Sequence, residues 1–157
     1  MAILAAATIG VLGWPQVAAD ASMPLWTTEE VSGPHFLSNV CGTEIEQAGT
    51  ISTTVHDLGD SHLVFDIRVD IVLSADGRLA FERPAFTAEI DPDAGTVTLE
   101  GTLVNITAPA EGILLKDVGR VVRELSTNDI LAIVGRWMVV DGDFGRVCAY
   151  FSSPPPA

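Results

Sequence analysis

An all-β fold follows from three features of the chain. Apolar and polar residues alternate over long runs. Asp-Gly and Asp-Pro turns separate those runs at even spacing. The 14 Gly and 9 Pro fall mostly between the runs. Together they predict an antiparallel up-and-down barrel or sandwich of about 6–8 strands, with a short C-terminal helix as the one departure. The length, 157 residues, suits a single domain with its own core. Hydrophobic residues at 48% and charged residues at 18% place the chain among folding sequences rather than disordered ones.

The first element is an address. MAILAAATIGVLG is apolar but too short to span a bilayer comfortably. The small residues after it, Val17-Ala18-Ala19 and Ala19-Asp20-Ala21, have the spacing of a signal-peptidase site. Residues 1–21 are therefore expected to be a signal peptide, although no Lys or Arg precedes the apolar run. A buried N-terminal helix is the competing reading. The mature protein is expected outside the cell, secreted or on the envelope exterior, with no stable membrane span.

Residues 22–40 hold Pro24, Gly33 and Pro34 and little periodicity. They read as an irregular lead-in. Thr27-Thr28-Glu29-Glu30 has the composition of a capped helical turn that Gly33-Pro34 would end. The β domain is expected over residues 41–151. Thr43 to Val55 is a Thr-, Ile- and Val-rich strand, with Gly49 as a bulge or bend. His56 to Ser61 is a turn.

HLVFDIRVDIVL, residues 62–73, is the clearest strand. Leu63, Phe65, Ile67, Val69, Ile71 and Leu73 form a buried face at period 2, which leaves Asp66, Arg68 and Asp70 on the other. That charged row reads as a solvent face that discourages edge-to-edge association. Its alternative is a polar wall inside a cavity.

Ala75-Asp76-Gly77 is a hairpin turn. Arg78 to Ile90 returns from it, with Pro84 marking a bulge or an edge. Asp91 to Gly95 turns again into a clean strand over Thr96–Thr107. Ile113 to Leu125, with Gly119, is one bent strand or two short ones. Ser126 to Asp129 turns into a strongly apolar strand over Ile130–Val140. Phe144 to Phe151 reads as a short helix entered at Asp143, with a last strand as the alternative. Residues 152–157, SPPPA after a serine, make a Pro-rich tail without ladder hydrogen bonds to offer, expected to be disordered.

Charge narrows the partners. The net charge is −13, from 21 acids against 8 bases, with Lys116 the single lysine. Such a chain repels nucleic acid and anionic headgroups. The two cysteines, Cys41 and Cys148, fit an oxidising compartment and predict one disulfide closing most of the domain. No C-x-x-C motif competes with that pairing.

The search for chemistry finds few groups. His56, Asp57, Asp60 and His62 flank one turn and have mixed N/O donors of the kind a divalent metal takes. A solvated turn is the more economical use of the same residues. Asp141-Gly142-Asp143-Phe144-Gly145 lacks the third ligand position and the closing Glu of an EF-hand loop. A nucleophile elbow and phosphate-binding glycine loops are absent. Asn105-Ile106-Thr107 matches a glycosylation acceptor, but a mid-strand Asn105 is better placed to hydrogen-bond across a sheet. Trp26, Trp137, Phe144 and Tyr150 are candidates for the mouth of a ligand cavity, with core packing as their other use. No cofactor is implied.

The Cys41-Gly42 pair, the stretch NITAPAEGILLKDVGRVV and the ending VVDGDFGRVCAYFS resemble small exported proteins of high-GC Gram-positive bacteria. The resemblance covers about residues 41–151. It implies export and pairing of Cys41 with Cys148, and it brings no catalytic residue to this chain. The functional expectation is a non-catalytic binding module for an apolar small molecule or a protein partner. The alternative is a small β-barrel enzyme, a cyclase or isomerase, with a polar group in its cavity.

Overall fold

The computed structural model describes residues 24–136 and 142–153. The expected signal peptide, Trp137, Asp141 and the last four residues of the tail lie outside them. The strands are β1 (Leu25–Pro34), β2 (Glu46–Gly59), β3 (His62–Ala75), β4 (Arg78–Glu82), β5 (Ala85–Asp91), β6 (Thr96–Ala108), β7 (Gly112–Glu124) and β8 (Ile130–Arg136). Helix α1 (Leu37–Cys41) lies between β1 and β2, and α2 (Gly145–Ser152) follows β8.

The strands form one antiparallel sheet in chain order, β1-β2-β3-β4-β6-β7-β8, with β5 also between β3 and β6. β4 and β5 are thus two halves of one strand position, broken at Arg83-Pro84. The Pro84 carbonyl still accepts from the Val69 amide at 3.1 Å. Proline cannot donate to the ladder, so the break falls where the sequence places it. The Asn105 amide donates across the sheet to the Arg83 carbonyl at 3.5 Å. Among the described residues β1 and β8 pair only with β2 and β7.

Three sequence expectations change. The turn expected over His56 to Ser61 contracts to Asp60-Ser61, because β2 continues to Gly59 in its ladder with β3. The lead-in is not irregular: Leu25–Pro34 is a ten-residue strand, and Thr27 to Glu30 lie in it rather than in a helical turn. Its side chains are mostly exposed because it is an edge, which hid the alternation. The ladder to β2, from Leu25–Val55 to Pro34–Glu46, overrides the weak pattern. Helix α2 forms as expected, but its N-cap position is Phe144 and no side chain caps it.

The turns after β2, β5 and β7 lie at one end of the sheet, here the lower. The turns after β3 and β6 lie at the upper end with the helices. The core fills the upper half. Leu37 of α1 and Val147 and Phe151 of α2 join Leu73, Ile106, Leu114 and Leu115 from the sheet. Burying each such side chain contributes roughly 1.5–3 kcal/mol. Cys41 and Cys148 are disulfide-bonded with Cα atoms 5.0 Å apart, so α1 is tied to α2 across 107 residues.

The period-2 reading of HLVFDIRVDIVL holds for the charged row, while its apolar face is fully buried only toward the upper end. Ile71 and Leu73 are buried, Leu63 to Val69 at odd positions are half-buried, and Asp66, Arg68 and Asp70 are exposed.

Candidate functional site

The inner face of the lower half is an apolar surface that lies away from the described helices. Register places Leu25, Val55, Phe65, Ala88, Leu99, Val121 and Ile133 side by side across the sheet. The next row toward the lower turns runs Leu63, Ile90, Val97, Arg123 and Ile130. These apolar residues fall outside the core cluster, and the described helices pack at the other end. Phe65, Leu99, Leu63, Ile90 and Val97 stay half-buried, while Val121 is fully buried.

A crease borders this surface. Gly101, Gly119 and Gly135 are opposite one another on β6, β7 and β8. A Cβ at Gly119 would overlap the Val134 carbonyl, and Gly135 adopts φ of +107°. Strands this close need glycine, and a glycine row lets a sheet bend sharply.

Arg123 is the one arginine of the inner face whose side chain is described and buried, at 8% exposure. Its Nη1 donates to Asn128 Oδ1 at 2.9 Å, and its Nε has no partner. The expected polar row is elsewhere. Asp66 accepts from or pairs with His56 at 3.0 Å, and Asp70 accepts from Arg83 Nε at 2.9 Å, all on the outer face. Arg68 is exposed between Ser52 and Ala85. None of the three lines an interior wall.

His56 and His62, which lie in β2 and β3 rather than in a turn, also separate. His56 pairs with Asp66, His62 with Asp91 at 3.5 Å, and Asp57 Oδ1 accepts from the Gly59 amide. Asp60 sits in the turn at φ of +50°. Among the described residues no three His, Cys, Asp or Glu side chains converge as metal ligands.

The aromatic candidates do not form one mouth. Trp26 is exposed on the outer face of β1, opposite Thr54. Phe144 meets Phe36 edge-on at 6.4 Å and joins the core margin. Tyr150 donates its hydroxyl to the Leu79 carbonyl at 2.7 Å and lies under Arg78. A cleft of about 210 Å³ opens beside it, lined by Arg78, Glu111, Leu114, Arg146 and Tyr150. Arg78 Nε donates to the Ser153 carbonyl and Arg146 Nη2 to the Glu111 carbonyl. These contacts anchor α2 to the upper turns.

Four buried polar groups lie outside the sequence-predicted candidates: His35, Glu82, Asp117 and Arg123. His35 is buried beside Glu82, with Nε2 and Oε2 at 3.0 Å. Arg123 follows Val121-Val122 in a run that does not alternate, so residue order does not give its inward direction.

No family model, no curated protein and no solved structure matches this chain.

Proposed function

We propose that this chain is an exported, non-catalytic binding module that holds an apolar small molecule against the lower inner face of its sheet. One observation carries the reading. Large apolar side chains from β3, β5 and β6 stay half-open on that face, while the helices and the disulfide close the upper half. A contiguous apolar surface of this kind marks a site for a partner or a ligand. Export is supported by the Cys41–Cys148 disulfide together with the apolar, small-residue N-terminus. No described helix is long and apolar enough to cross a membrane.

The cyclase or isomerase alternative needs a polar group in a cavity. Asp66, Arg68 and Asp70, its candidates, are exposed on the outer face. The binding reading is tested by titrating the protein with an uncharged fluorophore, N-phenyl-1-naphthylamine. Saturable binding is expected, weakened at least tenfold by Leu99→Lys with the circular dichroism unchanged. Absence of saturable binding, or equal binding by the variant, overturns it.

A second surface favours a protein partner. Leu131, Ile133 and Val134 of β8 are 56%, 40% and 67% exposed on an edge that carries no charge from Ile130 to Gly135. Apolar edges accept an added strand. Photo-crosslinking from position 134 in the intact exported protein tests this. A discrete adduct absent from a position-79 control supports it, and no adduct overturns it.

A further inference from the structure

Arg123 is buried in the wrong company for a structural cation. Its neighbours in register are Val97 on β6 and Ile130 on β8, and Val121 precedes it on the same face. Two exposed arginines of the outer face have acids beside them, Arg83 with Asp70 at 2.9 Å and Arg120 with Glu100 at 4.0 Å, and the exposed Arg68 has water in place of one. Arg123 has none within ion-pair distance among the described residues, although the chain holds 21 acids. Its contact with Asn128 is to a neutral amide, and its Nε is sealed from solvent and unpartnered.

A guanidinium in a protein carries a fixed positive charge. Burying it among aliphatic side chains without a counter-charge is costly. The Nε–H edge of a guanidinium donates side-on to a carboxylate, in directional, charge-assisted hydrogen bonds. A single cation in apolar surroundings matches a monoanion. A phosphate dianion would call for further positive charge, and the surrounding rows supply none.

We infer that the lower inner face binds an amphipathic monocarboxylate, with its carboxylate on the Arg123 guanidinium and its apolar chain along Phe65, Ala88 and Leu99. This rests on the reading of that face as an apolar binding site, and it adds the head group. Arg123 is then a ligand-contacting residue, and Asn128 holds the guanidinium through Nη1.

The test compares two probes of one chain length: cis-parinaric acid below its micellar concentration, and its uncharged methyl ester. The acid is expected to bind wild-type protein at least tenfold more tightly than the ester. Arg123→Met brings the two level and leaves the ester within twofold of wild type. Arg123→Lys keeps part of the preference. Asn128→Asp, in an exposed turn, places an internal carboxylate beside Nη1. It is expected to reduce the acid's advantage without touching ester binding, which keeps the test decisive should Arg123→Met fail to fold. Equal binding of acid and ester by wild type, or an acid preference that survives Arg123→Met or, where that variant does not fold, Asn128→Asp, overturns the head-group assignment while the apolar site stands. If neither probe binds saturably, the site itself falls, and the inference with it.

Discussion

His35 Nε2 lies 3.0 Å from Glu82 Oε2, and both residues are buried where β1 runs into α1. The Leu37 amide donates to His35 Nδ1 at 3.4 Å, which leaves Nε2–H to donate to the carboxylate. The pair joins residues 47 apart and orients the entry to α1. His35→Ala strands Glu82 in the core. It is expected to cost about 2–4 kcal/mol in urea unfolding, with His35→Gln costing less because it can still donate.

The Cys41–Cys148 disulfide fastens α1 to α2 over the upper core. By the loop-closure argument, removing a bridge of this span costs about 2–5 kcal/mol. A Cys41→Ser, Cys148→Ser double variant is expected to show that loss in denaturant unfolding. Reduced wild type should match it, and the exchange of β5 and β6 amides should be least affected.

The glycine crease is a steric requirement. Gly119→Ala drives a methyl group into the Val134 carbonyl, and backbone there cannot yield without opening the β7–β8 ladder. A loss of about 1–3 kcal/mol is expected, with faster hydrogen exchange in β8. Gly145→Ala, whose nearest neighbour is the Asp143 side chain at 3.8 Å, should be close to neutral.

The outer charged row contributes little. Asp70 and Arg83 are 66% and 55% exposed at the side chain, and exposed pairs of this kind contribute about 1 kcal/mol or less. Asp70→Asn should therefore change stability by less than about 1 kcal/mol. Binding of N-phenyl-1-naphthylamine should be unaffected, since the residue faces away from the inner surface.

Strand alternation was legible wherever one face was buried and the other wet. That is why β3, β6 and the hairpin at Asp76-Gly77 could be read directly from residue order. β1 was not legible, because an edge strand with both faces largely exposed has no apolar period to display. The orientation of Asp66, Arg68 and Asp70 followed from the same period as Leu63 to Leu73. The environments of His35 and Arg123 did not. Each depends on which distant strand lies alongside: β4 for His35, and β6 and β8 for Arg123. The half-open state of Phe65 and Leu99 depends on where the helices pack, and local sequence around those residues does not record it.

The central claim is that the lower inner face is where an apolar molecule binds. Amide chemical-shift mapping during titration with N-phenyl-1-naphthylamine tests it most directly. The account predicts shifts concentrated at Phe65, Ile90, Val97 and Leu99, with α1 and α2 unmoved. Shifts confined to the cleft between Arg78 and Tyr150, or none at saturating probe, would contradict it.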